Sequence, residues 1–313
     1  MSVATQKQDH SAQSSFHARS GPIQHRERNY QQYPGSSYIL PSDEEEQARY
    51  VYQRSLELQH RVLVRALGDR LVVAPVNLKS SDHVLDCGTG SGIWALNLAK
   101  EMPDVRIQGI DIEPRLFPSD KPDNTQFAVA TATSLPKDWE NEFSLVNQRL
   151  LIAALKSSEW PVVLGEIHRC LAPGGWVQLL EAKRWGADGP HSVRHRQLLE
   201  QLFSSRQLLI DCSVQLPKML GEASYEDVHV EEYKLPAGKW AGQEGIDVRN
   251  NFINVFRGMK TPILKAGGLG YVSSEEEYDQ WMDDMAKEWD DREGTTVDVC
   301  VCYARKASAV TDA

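Results

Sequence analysis

A predicted strand runs directly into a turn that carries glycine at every second position. Residues 83–92 read HVLDCGTGSG, in which the strand ends at Asp86 and a helix begins at about Ile93. The three glycines are Gly88, Gly90 and Gly92. Glycine is needed because the turn requires unusual backbone angles and because side chains would keep a ligand away from the backbone. The pattern predicts a nucleotide-binding corner between strand and helix; the alternative is a glycine-rich corner without a ligand.

Short apolar runs alternate with helical stretches from residue 82 onward. The runs are Val84–Leu85, Ile107–Ile110, Phe127–Val129, Leu145–Val146, Val177–Leu180, Val228–Val230 and Val297–Tyr303. Alternation of this kind predicts βαβ units and therefore an α/β fold built on a parallel sheet.

The spacing of the glycines distinguishes between ligands. The dinucleotide fingerprint G-x-G-x-x-G would require glycine at position 93, where Ile93 stands. The pattern D-x-G-x-G-x-G instead resembles motif I of the class I methyltransferases that depend on S-adenosyl-L-methionine (SAM), which implies SAM as the cofactor. A second acid, Asp111, ends the next predicted strand, where a carboxylate can accept both ribose hydroxyls. Taken alone, Asp111 could equally be a solvated loop acid.

Three segments extend the resemblance to one branch of that superfamily. They are YILPSDEEE at 38–46, LDCGTGSGIW at 85–94 and PGGWVQ at 173–178. From residue 38 to residue 306 the chain resembles the LaeA-like methyltransferases of filamentous fungi, which include regulators of secondary metabolism and biosynthetic small-molecule enzymes. The resemblance implies a Rossmann-like seven-stranded sheet with the last strand antiparallel and helices on both faces. It also implies that SAM binds at the carboxyl ends of the strands.

The resemblance assigns cofactor-binding residues to the strand ends and to the segment before the sheet. They are Tyr38, Asp86, Gly88, Thr89, Gly90, Gly92, Asp111, Ile112, Thr131, Ala132, Asn147 and Arg149. Asp86 is expected to meet the ammonium group of SAM, directly or through water, and Ile112 to lie against the adenine. Arg149 would bind the methionine carboxylate, bind an acidic substrate, or form only a surface ion pair. The chain departs from the family at 130–132, where Ala-Thr-Ala replaces an acidic pair, and at 143–144, where Phe-Ser replaces Phe-Asp.

Methyl transfer is an in-line displacement at an activated sulfonium carbon, so the protein mainly aligns the reacting atoms. A hydroxyl acceptor would benefit from a general base, whereas a carboxylate needs none. His191 and His195 follow the fifth predicted strand and are the base candidates, because imidazole titrates near neutral pH. Both lie in an arginine-rich stretch, which favours a solvated loop or helix over a catalytic role.

The sequence predicts three regions. Residues 1–36 are rich in Gln, Ser, His and Arg, which predicts a disordered tail. Residues 37–80 are predicted to form a helical lid over the cofactor, with a capping box at its start and an amphipathic helix to about Leu67. Residues 81–306 form the predicted methyltransferase domain, which contains a helical insertion at about 247–288.

Charge and cysteine content exclude several classes of protein. The 313 residues include 34 basic and 44 acidic side chains, for a formal net charge of −10. A net-negative surface repels phosphates, so nucleic acid is not an expected partner. The polar start predicts no secretory signal, and the absence of a stretch of about 18 apolar residues predicts no membrane span. Five scattered cysteines without zinc or redox spacing indicate reduced thiols, a cytoplasmic location and no metal site.

Three hypotheses for the function follow. The first is a biosynthetic enzyme that methylates an oxygen or a nitrogen of a small metabolite. The second is a LaeA-like regulator that acts in the nucleus through protein partners. The third is a methyltransferase fold that has lost methyl transfer and only binds, or catalyses a different rearrangement. The acceptor and the oligomeric state are left open at this point.

Overall fold

The computed structural model describes residues 46–308 apart from residue 187, with side chains from residue 54 onward. The strands are β1 (His83–Cys87), β2 (Arg106–Asp111), β3 (Thr125–Val129), β4 (Phe143–Arg149), β5 (Leu171–Trp185), β6 (Tyr225–Pro236) and β7 (Thr296–Lys306). The α-helices are α1 (Glu46–Ala66), α2 (Ile93–Glu101), α3 (Trp160–Cys170), α4 (Pro190–Ser205), α5 (Cys212–Glu222), α6 (Gly242–Gly258), α7 (Lys260–Lys265) and α8 (Glu275–Asp291). The predicted tail at 1–36, Tyr38 and the capping box lie outside the described residues.

All seven strands join one sheet in the order β3-β2-β1-β4-β5-β7-β6. The pairs among β1 to β5 are parallel, and β7 runs antiparallel to both β5 and β6. The predicted seven-stranded Rossmann-like sheet with an antiparallel last strand is therefore confirmed. The strand order reverses between β1 and β4, and a ligand crevice forms at the carboxyl ends of strands where such a reversal occurs.

The central strands are buried on both faces. Val84 and Leu85 of β1 have no solvent exposure, and neither do Leu145 and Val146 of β4. Because successive side chains of a strand point to opposite faces, these pairs anchor helices on both sides of the sheet. Their burial explains why the sequence shows continuous apolar runs here and not an alternating pattern.

The chain between β6 and β7 is helical. It contains α6, α7 and α8, which together run from Gly242 to Asp291. The sequence places this helical insertion at about 247–288, so the observed helices begin and end a few residues further out. Two ion pairs join α6 to α1, between Asp247 and Arg61 at 3.6 Å and between Glu244 and Arg65 at 3.5 Å. The first inserted helix, α6, therefore packs beside α1.

The carboxyl-terminal half of α1 belongs to the hydrophobic core. Val62, Leu63 and Leu67 are all at most 5% exposed, and the following segment continues the burial with Leu71 and Val73. Leu58, one turn before Val62, is half-buried and packs against the same core. Within the predicted lid at 37–80, residues from 62 onward are thus part of the domain core.

Several side chains have the burial that their local pattern predicts, and one does not. Trp94 and Trp160 are core residues, at 1% and 0% exposure, as predicted. All five cysteines are buried and unpaired. The expectation that His195 lies in a solvated helix is wrong, because it is fully buried on the inner face of α4. None of the helices in the described ranges is long and apolar enough to cross a membrane.

Candidate active site

The glycine turn lies at the carboxyl end of β1, and its three glycines differ in what surrounds them. All three have positive φ angles, 66° at Gly88, 55° at Gly90 and 74° at Gly92. A Cβ at Gly92 would lie 2.6 Å from the Phe127 ring, so this glycine allows the turn to pack against β3. Among the described side chains, a Cβ at Gly90 would meet only Leu56 of α1, at 3.7 Å. Gly90 is therefore the glycine whose open side is available to a ligand.

Asp111, at the end of β2, joins the glycine turn to the next loop. Its Oδ2 accepts the Gly90 N–H at 2.8 Å, and its Oδ1 accepts the Glu113 N–H at 2.9 Å. Burial raises the pKa of Asp111, with a smaller effect of the Glu113 charge, and backbone donors at Gly90, Glu113 and Ile112 counteract part of that rise. Each carboxylate oxygen has a second lone pair, so Asp111 can still accept two hydroxyl groups.

Asp86, at the end of β1, lies at the centre of a buried polar network. Its Oδ2 accepts the Thr89 hydroxyl at 2.6 Å, and its Oδ1 accepts the Asn147 amide at 2.6 Å. Burial raises the pKa of Asp86, while the Arg149 charge and the two hydrogen bonds act in the opposite direction. Asp86 thus fixes the turn to β4, and a contact with the ammonium group of SAM stays a prediction.

Gln178 of β5 extends this network to the segment that follows α1. Its Oε1 accepts the N–H groups of Val73 and Ala74, at 2.9 and 3.3 Å. Its Nε2 donates to the Leu71 carbonyl at 3.0 Å and to Asn147 Oδ1 at 2.8 Å. The two backbone donors fix the orientation of the Gln178 amide, which in turn directs the Asn147 amide nitrogen toward Asp86.

Arg149, at the end of β4, meets α1 through His60. Its Nη1 lies 3.3 Å from Nδ1 of His60, whose Nε2 lies 2.8 Å from the amide of Asn97 on α2. A guanidinium only donates, so Nδ1 accepts and Nε2 carries the proton, which requires Asn97 to turn its oxygen toward the ring. Burial and the Arg149 charge lower the pKa of His60 to about 3, so the imidazole is neutral.

The loops after β2 and β3 are adjacent, as the cofactor assignment requires. The Ala130 N–H donates to the Asp111 carbonyl at 3.1 Å. Ile112, Thr131 and Ala132 are half-buried on these loops. The Thr131 hydroxyl lies 2.8 Å from that of Thr133, so its orientation is fixed within the loop.

The two histidines proposed as bases have different surroundings. The His195 ring lies 4.5 Å from the Phe256 ring and 5.8 Å from the Trp281 ring, and neither ring nitrogen has a partner among the described residues. Burial lowers the pKa of His195 to about 3, with a smaller effect of Arg196. His191 is half-buried at the start of α4, where its backbone N–H donates to Glu288 at 2.9 Å.

The sequence interpretation assigned no role to three of these residues. Gln178 entered the sequence interpretation only as the last residue of the PGGWVQ segment. A polar residue within a predicted buried strand nevertheless indicates a hydrogen-bonding role. His60 and Leu56 lie on the helical face of α1 that meets the sheet, and only the packing of α1 brings them to Arg149 and Gly90.

The antiparallel β7, the glycine turn at the strand reversal and the acid after β2 together define a class I methyltransferase. A family model described as a methyltransferase domain matches residues 84–175. The N-methyltransferase sirN of Leptosphaeria maculans is 32% identical over 215 residues, which cover 67% of this chain and 73% of sirN. The chain therefore belongs to the methyltransferase family, and its methyl donor is SAM.

Two further relatives have similar identity over a smaller share of their own length. The methyltransferase pytC of Aspergillus terreus is 30% identical over 223 residues, 68% of this chain and 65% of pytC. The secondary metabolism regulator laeA of Aspergillus fumisynnematus is 31% identical over 226 residues, 69% of this chain and 58% of laeA. The chain thus matches less than two thirds of the length of each of these relatives.

Proposed function

We propose that this protein transfers the methyl group of SAM to a nitrogen or an oxygen of a small secondary metabolite. The observation that carries the proposal is the direct link between the glycine turn and Asp111, whose carboxylate accepts the Gly90 N–H at 2.8 Å. The relative sirN is named an N-methyltransferase, which favours nitrogen as the acceptor. The reaction is an in-line displacement, in which the nitrogen or oxygen attacks the methyl carbon and the sulfonium sulfur leaves with the bonding pair.

The polar groups at the strand ends suggest how SAM would lie. We assign the ribose to Asp111, which retains two free lone pairs, and the adenine to the loops that carry Ile112, Thr131 and Ala132. The methionine carboxylate is assigned to Arg149, whose Nε has no partner among the described residues. A buried guanidinium nitrogen without a partner is costly, so an anionic ligand would stabilise it.

We predict that Asp111→Ala weakens SAM binding by about 10- to 100-fold, because two ribose hydroxyls lose their acceptor. Isothermal titration calorimetry with SAM measures the change. Asp104→Ala, which removes an exposed acid before β2, is the matched control and should bind as the wild type does. Equal affinities for Asp111→Ala and the wild type would contradict the ribose assignment, and an absence of heat with the wild-type protein would contradict the SAM site itself.

Methyl transfer itself is tested with metabolite extracts of the producing organism. The protein is incubated with SAM and extract, and mass spectrometry follows the gain of one methyl group in place of hydrogen. The Asp111→Ala protein serves as the negative control. If SAM binds but no component gains a methyl group, the third hypothesis, a fold that binds without methyl transfer, replaces this proposal.

His191 and His195 stay the candidates for a general base. Because the pKa of His195 is about 3, its ring is neutral at physiological pH and can exchange hydrogen bonds with an acceptor but holds a proton poorly. His195 is therefore suited to orienting the methyl acceptor and poorly suited to taking its proton.

We propose that the part of α1 before residue 60 covers the cofactor, a narrower lid than the sequence predicts. Leu56 is the described side chain nearest to the open side of Gly90.

We predict that Leu56→Ser raises the Kd for SAM roughly tenfold, since a ligand on Gly90 loses an apolar cover. Glu57→Ser, on the exposed side of the same turn, is the control. Equal Kd values for the two variants would mean that α1 is only structural.

The LaeA-like regulator is the alternative proposal, and the match to laeA supports it. It requires protein partners and a nuclear location, whereas the enzyme proposal places the protein in the cytoplasm, in agreement with its five unpaired cysteines. Fluorescence microscopy of a tagged chain distinguishes these locations. A nuclear protein that leaves small molecules unmethylated would favour the regulator.

A further inference from the structure

Glu181 of β5 is a fully buried carboxylate that the polar network around Asp86 does not include. Its Oε1 accepts the Leu151 N–H at 2.8 Å, and its Oε2 accepts the Ile152 N–H at 3.2 Å. These are the first two N–H groups of a 3₁₀ turn, Leu151–Ala153, and such groups have no acceptor within the turn. Each oxygen of Glu181 therefore satisfies one backbone donor that the fold would otherwise leave unpaired.

The turn that Glu181 holds begins with an unfavourable backbone conformation. Leu150 has φ 56° and ψ 41°, in the left-handed region that residues with a Cβ avoid at a cost of about 1 kcal/mol or more. Its N–H donates to the Leu180 carbonyl at 2.8 Å, which is the last bond between β4 and β5. The chain thus leaves the strand direction immediately after Arg149, and the two hydrogen bonds to Glu181 stabilise the 3₁₀ turn that follows.

The same turn contacts the glycine turn directly. A Cβ at Gly88 would lie 2.8 Å from Cδ2 of Leu151, so the Leu151 side chain fills the space beside the first glycine. Glu181 reaches Leu151 through its backbone, and Leu151 reaches Gly88 through its side chain. The hydrogen bonds of Glu181 go to Leu151 and Ile152 and not to the glycine turn.

We infer that Glu181 is a positioning residue for the SAM site. Glu181 holds Leu151 against Gly88 and so fixes the glycine turn relative to Arg149. The inference rests on the proposed SAM site. It concerns the geometry of that site and assigns no contact between Glu181 and the cofactor.

The surroundings of Glu181 make the effect depend on pH. Burial raises its pKa to about 8, the two backbone donors lower it, and the Cys300 thiol raises it further. The titratable groups that face it are three buried thiols, Cys300 and Cys302 of β7 and Cys212 of α5. Above the pKa, both oxygens accept backbone N–H groups; below it, one oxygen becomes a hydroxyl and accepts less well. SAM binding should therefore strengthen as the pH rises through this range.

The test is calorimetric titration of SAM into the wild type, Glu181→Gln and Glu166→Gln at about pH 6.5 and about pH 9. Glu166 is the matched control, because its carboxylate also accepts a backbone N–H, from Leu135 at 2.8 Å, but it lies on α3. Glu181→Gln should raise the Kd about tenfold at the higher pH and lose the pH dependence attributable to residue 181. Titration of SAM itself contributes equally to all three proteins and cancels in the comparison.

Leu151→Ala is the second variant, since it leaves Glu181 intact and removes the contact with Gly88. It should raise the Kd for SAM and weaken the pH dependence, because the contact that links Glu181 to Gly88 is the Leu151 side chain. Wild-type affinity and pH dependence in Glu181→Gln would overturn the inference, as would an equal loss in Glu166→Gln. If the wild type binds no SAM, the proposed function fails as well. If the wild type binds SAM and the variants bind it in the same way, only the inference about Glu181 fails.

Discussion

Replacement of Gln178 with leucine is expected to lower the free energy of unfolding by about 4 kcal/mol, because a buried polar group left without a partner costs about 1–3 kcal/mol. Gln178 makes four hydrogen bonds, to Leu71, Val73, Ala74 and Asn147. Leucine has a similar size but offers neither donor nor acceptor, and the four residues that bond to Gln178 are at most 7% exposed.

Urea unfolding followed by circular dichroism measures this change. Gln126→Leu is the control, because Gln126 is exposed on the edge strand β3, and its substitution should change the free energy by less than about 0.5 kcal/mol. Gln178→Glu should be intermediate, since it keeps the acceptor for Val73 and Ala74 but loses the donor to Leu71 and Asn147. A loss below about 1 kcal/mol for Gln178→Leu would show that these groups find other partners.

A matched pair of alanine substitutions in the glycine turn should separate packing from ligand binding. Gly90 and Gly92 both have positive φ, so alanine imposes similar backbone strain at each. At Gly92 the new Cβ would also overlap the Phe127 ring, which is already packed closely against Gly109. We therefore expect Gly92→Ala to be less stable than Gly90→Ala by about 2 kcal/mol, the typical cost of overpacking.

The order of the two variants should reverse for SAM binding. Gly90→Ala places a methyl group on the open side of the turn and should raise the Kd for SAM about tenfold or more. Gly92→Ala should bind SAM near wild-type affinity at temperatures where it remains folded. Thermal unfolding and calorimetry measure both quantities. Equal stabilities would contradict the packing role of Gly92, and unchanged SAM affinity in Gly90→Ala would mean that the ligand lies elsewhere.

Local patterns predict the sheet and the cofactor corner well. The apolar runs predict the strands because central parallel strands are buried on both faces and so contain continuous apolar residues. Asp111 is predictable because it ends the strand that follows the glycine turn, and the parallel pairing of β1 with β2 brings the two together. The assignment of cofactor residues to these positions stays a prediction that the variants above test.

Side chains on helices are predicted less well. His195 lies in an arginine-rich stretch that suggests solvent, yet α6 and α8 cover it with Phe256 and Trp281. These helices are distant in sequence, so the neighbourhood of α4 gives no indication of them. The same reason applies to α1, which the sequence predicts as part of a helical lid although its second half belongs to the core.

The sequence alone determines an α/β fold with a glycine turn between a strand and a helix, because strand periodicity and turn chemistry are properties of adjacent residues. The seven-stranded sheet and the cofactor SAM are what the resemblance to the methyltransferase family implies. Only the tertiary structure decides which glycine packs and which faces a ligand, since Phe127 and Leu56 come from distant segments. It likewise decides that Gln178 and Glu181 support the two turns of the site. Those roles depend on backbone groups 29 to 107 positions away along the chain, whose proximity arises only when the sheet and α1 assemble.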